Sequence, residues 1–448
     1  MNNLEHIKTC YFIGIGGIGM SALARYFVTE GKRVCGYDKT QSAITGSLED
    51  LGIDIHYQDI EKAIPADLDK AETLVIYTPA IPKNHNGFNY FKEQGFTIKK
   101  RAEVLGFLTK DKFCLAVAGT HGKTTTSAIL GHLLVATGAP VTAFMGGISE
   151  NYNSNLIQKG NEVIVVEADE FDRSFLQLYP NIACITSMDA DHLDIYGDAS
   201  VLKESFKEFA DHVVEHGTLF IKNGLPLQGK TIGLDENADF SAQNIHIVDG
   251  GYRFDLKTPQ ETIKGFRFNL PGRHNLFNAI TALAMAITYG SPIKGLGAAL
   301  VSFKGVNRRF TYRIKRDDLM LIDDYAHHPA EIDAVHDTVR EMYPDKKVLV
   351  VFQPHLFSRT RDFMDDFAKS LSRFDAVMLL DIYPAREEPI AGIDSEALLG
   401  KLSLSRKQKV NKENLAKAIK DSGYPVVVML GAGDISEEIL KVTKTLAL

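Results

Sequence analysis

Short apolar runs alternate with amphipathic stretches along nearly the whole chain. The run TCYFIGIGG is followed by the amphipathic stretch MSALARYFVTEG and then by a second short run, RVCGYD. Short runs rich in β-branched and aromatic residues predict strands, and apolar positions three to four residues apart predict helices. Strands that alternate with helices are typical of parallel sheets. The pattern therefore predicts an α/β protein.

Two further transitions from strand to loop to helix divide the chain. KFCLAVAGTHGKTTTSAIL begins one of them, and DLMLIDDYAHHPAEI, after FKGVNRRF, begins the other. For 448 residues and about 150 residues per domain, we expect three domains, at residues 1–108, 109–313 and 314–448. The first and third are predicted to be Rossmann-like, and the central one to be a parallel sheet like that of P-loop ATPases. We assign the polar stretch 223–267 to strands and loops of the central domain.

Composition and charge narrow the classes of function. Hydrophobic residues make up 45% of the chain and charged residues 24%, as in globular proteins, and no apolar run reaches the roughly 18 residues of a membrane span. A net charge of −7 gives no attraction to nucleic acid, and MNNLEHIKTCYF lacks the features of a secretory signal. We expect a cytoplasmic protein that binds neither membranes nor nucleic acids. Its scattered cysteines, without a CxxC pair, are expected to be reduced core residues: Cys10, Cys35, Cys114 and Cys184.

The segment AGTHGKTTT carries the strongest chemical signal. An apolar run ends at Gly119, Lys123 follows Gly122, and threonines open an apolar helix. The N–H groups of such a loop and of a helix N-terminus surround phosphate, and the lysine supplies positive charge. Val117 stands where the general P-loop has a glycine, so this loop is a shortened variant. A simple glycine turn would not require the Lys-Thr pair, and we predict an ATP site at Gly119, Thr120, His121, Gly122, Lys123, Thr124 and Thr125.

An acidic cluster follows another apolar run, NEVIVVEADE. Glu167 stands at the carboxyl end of this predicted strand, where ligands bind in parallel sheets. Hard cations such as Mg²⁺ prefer oxygen ligands, so we predict a metal site formed by Glu167 and the Thr124 hydroxyl. The alternative is that the cluster is a solvated loop.

Two asparagines in RHNLFNAITALAMA, Asn275 and Asn278, lie one helical turn apart. Both amides can therefore face one ligand, and contacts to adenine or phosphate fit them. Asn275 could instead cap the helix, because asparagine favours that position.

A glycine-rich turn also follows the first predicted strand. Gly14, Gly16 and Gly19 form a GxGxxG pattern, and Asp38 follows nineteen residues beyond Gly19. Alone, this pattern fits a dinucleotide fold and hence an NAD-dependent oxidoreductase. The separate ATP loop downstream makes NAD superfluous and disfavours that alternative.

The segments GTHGKTTT, EADEFDRSF, SMDADHLDIYGD, GRHNLFNA and DDYAHHPAEI follow one another in this order, and the chain thereby resembles the Mur ligases of peptidoglycan synthesis. GIGGIGMSALA, DDYAHHP and FQPHLFSRT are similar to the alanine-adding members in particular. The resemblance implies three domains that bind a UDP-sugar, ATP and an amino acid. It also implies ligation of L-alanine to the carboxylate of UDP-N-acetylmuramate through an acyl phosphate, with ATP and Mg²⁺ as cofactors and Mn²⁺ as an alternative metal.

The resemblance further implies roles for particular residues. His192 would bind a second metal ion, Arg309 would clamp phosphate, and Asp324 would contact ribose or a metal-bound water. Arg359 would pair with the α-carboxylate of alanine, and His327 would assist deprotonation of its ammonium group. The predicted catalytic residues are Lys123, His192, His327 and Arg359; the UDP-sugar residues are Gly14, Gly16, Gly17, Gly19 and Asp38; the amino-acid residues are Tyr325, His327 and Arg359.

Several alternatives stay open at the level of sequence. His327 or His328 could cap a helix, and Arg359 could pair with Asp362 or Asp365. Family members often carry a basic residue where Leu356 stands. Some members carry a carbamylated lysine at the position of Lys207. Here the helix around Lys207 is amphipathic and charged, so we expect Lys207 to be solvated. The alternatives in function are a muropeptide-recycling ligase that attaches a peptide to the same sugar, and a nucleotide switch. The pattern does not define the oligomeric state.

Overall fold

The computed structural model of the protein describes residues 4–82, 84–190, 196–235, 237–385 and 387–447. In this part of the chain, strands form three sheets of five, ten and six strands, connected largely by helices. The prediction of an α/β fold with three sheet-bearing domains is confirmed. None of the helices described is both long enough and apolar enough to span a membrane.

The first sheet is entirely parallel, with strand order β3-β2-β1-β4-β5. Alternate residues of β1 enter two different hydrophobic cores: Cys10 and Phe12 pack in one, and Tyr11 and Ile13 in the other. Burial of both faces explains the continuous apolar run in the sequence. The strands are β1 (Thr9–Ile13), β2 (Arg33–Tyr37), β3 (Asp54–His56), β4 (Thr73–Tyr77) and β5 (Thr97–Lys100), and the helices are α1 (Ile18–Thr29), α2 (Ala43–Glu49), α3 (Asn86–Glu93) and α4 (Arg101–Thr109).

The second sheet has the order β15-β14-β13-β12-β11-β10-β6-β9-β7-β8. Strand β6 lies between β9 and β10 and is parallel to both. The strands are β6 (Phe113–Ala118), β7 (Val141–Ser149), β8 (Ser154–Gln158), β9 (Val163–Glu167), β10 (Ile182–Ile185), β11 (Thr218–Lys222), β12 (Lys230–Leu234), β13 (Phe240–Val248), β14 (Gly251–Lys257) and β15 (Thr262–Phe268). The helices of this region are α5 (Lys123–Ala136), α6 (Ala199–Asp211), α7 (Arg273–Tyr289) and α8 (Ile293–Ser302). The polar stretch 223–267 forms strands and loops, as predicted.

The third sheet has the order β16-β17-β21-β18-β19-β20. Only the β16–β17 pair is antiparallel. The strands are β16 (Thr311–Lys315), β17 (Met320–Asp324), β18 (Val348–Phe352), β19 (Ala376–Leu379), β20 (Lys407–Lys409) and β21 (Val426–Leu430). The helices are α9 (Pro329–Met342), α10 (Phe357–Asp362), α11 (Met364–Leu371), α12 (Ser395–Lys401), α13 (Lys412–Ser422) and α14 (Ile435–Leu446).

The chain separates into two compact units. One comprises Met1–His246, Arg253–Phe268 and Phe277–Lys304, and the other comprises Ile247–Tyr252, Asn269–Leu276 and Gly305–Leu448. The predicted boundary between residues 313 and 314 falls inside β16, which pairs with β17 of the third sheet. We therefore propose that the third domain begins at Gly305, where the second unit resumes, and keep the proposed boundary at residues 108 and 109.

All cysteines of the chain are buried in parallel strands and have free thiols. Each lies in a different strand, in β1, β2, β6 or β10. Burial raises the pKa of each thiol to about 12. The four residues are Cys10, Cys35, Cys114 and Cys184, and the prediction that they are reduced core residues is confirmed.

Candidate active site

Three neighbouring parallel strands place the segments of the predicted ATP site together. The phosphate loop follows β6, Glu167 is the last residue of β9, and Thr186 and Ser187 follow β10. Because β9 and β10 flank β6 in parallel, their carboxyl ends meet at one edge of the sheet. The sheet order thus explains why distant motifs converge.

The phosphate loop depends on two glycines and on Ser187. Gly119 and Gly122 have φ angles of +125° and +85°, values that L side chains rarely adopt, and a Cβ on Gly119 would lie 2.2 Å from Thr186 Oγ1. Ser187 Oγ accepts a hydrogen bond from His121 N at 2.9 Å and lies 2.8 Å from Thr120 Oγ1. Helix α5 begins at Lys123, and the first amides of a helix have no intrahelical acceptor. The loop is therefore held from the β10 side, next to a helix N-terminus.

Lys123 forms a close ion pair with Glu170. Its Nζ lies 2.8 Å from both carboxylate oxygens of Glu170 and donates to Gly119 O at 2.7 Å. Burial alone would lower the pKa of Lys123, but the negative charges of Glu170, Asp169 and Glu167 outweigh it, so the pKa is raised. The lysine is therefore charged at neutral pH. The sequence motif placed Glu170 in an acidic cluster without giving it this role.

Glu167 joins the loop to strand β7. Its Oε1 accepts from Thr124 Oγ1 at 3.0 Å and its Oε2 from Gly146 N at 2.8 Å. Burial raises the pKa of Glu167 even though the charge of Lys123 opposes the shift. A bound cation would offset the cost of ionising this buried carboxylate. A carboxylate oxygen next to a hydroxyl oxygen also gives the oxygen ligands that a small hard cation prefers. The described contacts fit the two predicted Mg²⁺ ligands and do not resemble a solvated loop.

The number of protein ligands at the predicted metal site is small. In the described residues, no three His, Cys, Asp or Glu side chains form a group that could hold a metal ion. Mg²⁺ commonly takes only one or two carboxylates and completes its shell with water and substrate phosphate, so one carboxylate and one hydroxyl suffice. His192, the predicted ligand of a second metal ion, lies outside the described residues.

The two asparagines of α7 have different surroundings. Asn278 packs on the phosphate loop, since a Cβ on Gly122 would lie 2.5 Å from Asn278 Oδ1. Asn275 is buried and donates from Nδ2 to Pro271 O at 2.8 Å. Helix α7 begins at Arg273, so Asn275 lies inside its first turn and is not the residue before it. The N-cap alternative for Asn275 is therefore wrong.

The glycine-rich loop after β1 is organised by Asp38. Gly16 N donates to Asp38 Oδ2 at 2.7 Å, and Gly14 has a φ of +84°. Gly17 precedes the first residue of α1. In the strand order of this sheet, β1 and β4 are neighbours whose chains continue to opposite sides, and ligands bind at such a switch point. The loop that follows β1 lies at that point.

A cavity of about 270 Å³ connects this loop with Glu167. Gly17, Gly19, Thr78 and Gly146 line it, and helix α1 also packs on β7 and β8, since Asn155 donates to Ile18 O at 2.6 Å. The full lining is Gly17, Ile18, Gly19, Met20, Ala22, Leu23, Thr78, Arg101, Leu105, Phe144, Met145, Gly146, Glu167 and Asp169.

Arg101 is the one cation among the described residues that line this cavity. Its Nη1 would lie 2.6 Å from a Cβ on Gly19, so the guanidinium rests on the third glycine of the GxGxxG pattern. Its Nη2 lies 3.6 Å from Asp169 Oδ2. Arg101 was not among the residues predicted from the sequence. Its place as the first residue of a helix directly after β5, at the same sheet edge as the glycine loop, was the available signal.

In the second unit, Asp324 holds the backbone around it. Its Oδ2 accepts from Phe310 N at 2.7 Å and its Oδ1 from Ala326 N at 2.8 Å. Burial raises the pKa of Asp324 to about 6. Arg309 Cζ lies 5.1 Å from the ring centre of Tyr325, and Arg309 Nη1 lies 3.8 Å from a carboxylate oxygen of Glu331.

His327 belongs to the same cluster. Its Nδ1 lies 3.0 Å from Tyr325 O and 3.2 Å from Glu331 Oε2, and its ring centre lies 5.2 Å from that of Tyr325. A carbonyl oxygen accepts only, so Nδ1 carries the proton in this arrangement and Nε2 is the available base. His328 is the N-cap of α9, so of the two histidines His328 has the capping role. The structure thus brings Arg309, Asp324, Tyr325 and His327 together.

Arg359 lies in helix α10 and is buried. Asp362 accepts from Arg361 Nε at 2.8 Å, and Asp365 accepts from Lys401 Nζ at 2.6 Å. The two aspartates named as alternative partners of Arg359 thus have ion pairs with other cations. Leu356, at the N-cap of α10, has a φ of +70°, a costly conformation for a residue with a side chain.

Lys207 is an exposed lysine, unlike the buried groups described above. Its side chain is 48% exposed and pairs with Glu204 at 2.6 Å on helix α6. This agrees with the expectation of a solvated lysine.

A shortened phosphate loop with a charged lysine, a buried carboxylate beside the loop hydroxyl, and a cavity that reaches a second glycine-rich loop together indicate an ATP-dependent enzyme. Comparison with known proteins agrees. Family models match residues 9–113 (Mur ligase family, catalytic domain), 117–286 (Mur ligase middle domain) and 308–433 (Mur ligase, glutamate ligase domain).

Individual relatives cover the whole chain. A UDP-N-acetylmuramate–L-alanine ligase of Christiangramia forsetii is 64% identical over 448 residues, which are 100% of this chain and 99% of the relative. The crystal structure of a UDP-N-acetylmuramate-alanine ligase from Thermotoga maritima has a TM-score of 0.84 and 27% identity, and covers 98% of this chain and 99% of its own. A murein peptide ligase from Psychrobacter arcticus has a TM-score of 0.74 and 21% identity, with 98% of each chain covered. The last likeness shows the fold alone.

The chain belongs to the Mur ligase family. It is an ATP-dependent ligase that forms an amide bond.

Proposed function

We propose that this enzyme ligates L-alanine to the carboxylate of UDP-N-acetylmuramate, as an early step in making peptidoglycan precursors. The observation that carries the proposal is the cavity in which Glu167 and the glycine-rich loop of the first sheet line the same space. That arrangement suits a substrate with a nucleotide diphosphate at one end and a carboxylate to be activated at the other. The 64% identity to an alanine ligase supports alanine as the amine.

The first half-reaction activates the carboxylate. An oxygen of the sugar acid attacks the γ-phosphorus of ATP, the bond from that phosphorus to the β-γ bridging oxygen breaks, and ADP leaves with the electron pair. Such transfers depend on positioning and on neutralising charge, not on a protein nucleophile. Lys123 and the helix α5 N-terminus offset the phosphate charge, and Asn278 at Gly122 supports the loop. Thr124 and Glu167 would hold Mg²⁺, which supplies further positive charge to the phosphates when bound.

The glycine-rich loop of the first sheet would bind the sugar nucleotide. The loop at Gly14, Gly16 and Gly17 and the start of α1 suit its diphosphate, and Asp38 fixes the loop through Gly16. Arg101 gives a positive group to a cavity that is also lined by the carboxylates of Glu167 and Asp169. We therefore add Arg101 to the proposed UDP-sugar residues.

The second half-reaction joins the amine. The neutral amino group of alanine attacks the acyl carbon, phosphate leaves, and the nitrogen loses a proton. Only an unprotonated amine attacks, and His327 presents Nε2 as a base while its Nδ1 is held at Tyr325 O. Arg359 would pair with the α-carboxylate of alanine, and Arg309 and Asp324 would contact ATP. Since ATP and nucleotide sugars are cytoplasmic metabolites, we propose that the enzyme works in the cytoplasm.

The test is phosphate release with UDP-N-acetylmuramate and ATP, comparing L-alanine, glycine, L-serine, D-glutamate and the muropeptide-type tripeptide. We expect L-alanine to give the highest kcat/KM by at least about tenfold, the discrimination that one or two shape contacts supply. Preference for the tripeptide would instead identify a recycling ligase, the alternative that the fold of the murein peptide ligase leaves open. Phosphate release that is independent of any amine would remove the ligase assignment.

A further inference from the structure

Every donor of Lys123 is engaged by the protein itself. Its Nζ lies within 2.8 Å of Glu170 Oε1 and Oε2, 2.7 Å from Gly119 O and 3.3 Å from Thr120 O. An ammonium group has three N–H donors, and here three groups accept from it. A phosphate oxygen can therefore bind Lys123 only if one of these acceptors is exchanged.

Glu170 is the acceptor that phosphate must replace. Gly119 and Thr120 belong to the same loop as Lys123 and are neutral, so a phosphate bound in the loop can share the lysine with them. Glu170 comes from a different segment, after β9, and its carboxylate is fully buried. Its negative charge would lie close to a bound phosphate, and like charges at short range in a buried site repel strongly.

The carboxylate is also held in place by its backbone. Glu170 O accepts from Tyr196 Oη at 2.6 Å and from Arg173 N at 2.9 Å. Two positions of the same segment, Asp172 and Arg173, have left-handed φ angles of 52° and 54°, and Asp172 pairs with Lys100 at 2.9 Å. These contacts restrict the backbone around Glu170, so we do not expect this segment to move together with Lys123.

We propose that Glu170 is a positioning residue that competes with the phosphates of ATP for Lys123. It keeps the buried lysine paired and aligned in the loop, and it gives up the lysine when phosphate binds. The inference rests on the proposed function, because it takes Lys123 as the lysine that contacts ATP. Its consequence is that the native enzyme binds ATP more weakly than its loop alone would permit.

The test measures nucleotide affinity without turnover. Isothermal titration of the full chain with ATP, and separately with inorganic tripolyphosphate, is carried out in EDTA for the wild type and for Glu170→Gln. We expect the variant to bind both ligands about tenfold more tightly, because phosphate no longer displaces a charged partner. The tripolyphosphate titration excludes the adenine as the source of the change. A purely structural role for Glu170 would weaken binding or leave it unchanged.

Two further variants keep the test decisive. Glu204→Gln makes the same change at an exposed side chain that pairs with Lys207 on helix α6, and its affinities should stay within twofold of the wild type. Glu170→Asp retains the charge but shortens the side chain, so it should tighten binding less than Glu170→Gln does, and it serves if Glu170→Gln does not fold. Unchanged or weaker phosphate binding by both Glu170 variants overturns the proposal. Failure of the wild type to bind ATP, or equal binding by Lys123→Ala, would overturn the assignment of the ATP site as well.

Discussion

A single added methyl group at Gly146 should displace the proposed metal ligand without removing it. Gly146 lies in β7, and a Cβ built there would lie 2.3 Å from Glu167 Oε2 and 2.7 Å from Oε1. Ordinary contact begins near 3.4 Å, so the carboxylate must move by about 1 Å, well beyond the ~0.2 Å tolerance of metal–ligand distances. The carboxylate end of Glu167 is flexible, so the fold should survive the substitution.

The magnitude follows from that displacement. A shift of about 1 Å in a positioned catalytic group costs on the order of 100-fold in rate. We therefore expect Gly146→Ala to lower ligase turnover about 100-fold at limiting Mg²⁺ and to recover part of it at high Mg²⁺. The binding of UDP-N-acetylmuramate should change less, because the cavity contains many other contacts.

The assay is phosphate release as a function of free Mg²⁺, with thermal unfolding as a check on folding. Gly400→Ala is the matched control, because Gly400 lies in helix α12 with nothing within 4 Å of its added Cβ, and it should leave the Mg²⁺ dependence unchanged. An identical Mg²⁺ midpoint for Gly146→Ala and the wild type would refute the assignment of Glu167 as a metal ligand.

Three other substitutions test separate parts of the site. Lys123→Ala should lower ATP turnover about a thousandfold in a folded protein, whereas Lys207→Ala, on an exposed side chain, should not; turnover within tenfold of wild type would refute the phosphate-loop assignment. Arg359→Ala should raise the KM for L-alanine about tenfold or more while acyl phosphate still forms, with Arg361→Ala as the exposed control; a KM within twofold would remove Arg359 from the site. For Asp324, whose pKa is raised from 3.8 to about 6, the folded state binds the proton more tightly. Its contribution to stability is therefore present below pH 3.8 and lost as the pH rises to about 6, by about 3 kcal/mol. Unfolding free energies of the wild type should fall by that amount relative to Asp324→Asn between pH 3 and pH 7, and a constant difference would contradict the shift.

Local sequence patterns sufficed for the α/β class and for the glycine positions of the proposed phosphate loop. The loop was predictable because Gly119, Gly122 and Lys123 each meet a requirement of backbone or charge that few other residues satisfy. For the boundary predicted at residues 313 and 314 we propose Gly305 instead, because β16 pairs antiparallel with β17 and a short hairpin has no helical signal to mark its start.

The missed residues share a physical reason. Glu170, Ser187 and Arg101 act through partners far away in the chain, and their roles depend on which strands are neighbours in the sheets. Ser187, for example, reaches His121 only because β10 lies beside β6. The spacing of residues in the sequence does not show which strands are neighbours in a sheet. Whether His327 or His328 caps helix α9 likewise depends on where that helix begins.

The four buried thiols make the protein suited to site-specific labelling. The thiolate is the reactive form of cysteine. Because the pKa values of these thiols are near 12, roughly one thiol in 10⁵ is ionised at pH 7. The thiols are also buried in parallel strands. A cysteine introduced at an exposed position, such as Lys207 or Arg361, would be ionised more than a thousandfold more often. A fluorophore or spin label could then be attached to either unit of the native sequence without first deleting a cysteine, which opens the catalytic cycle to distance measurements in solution.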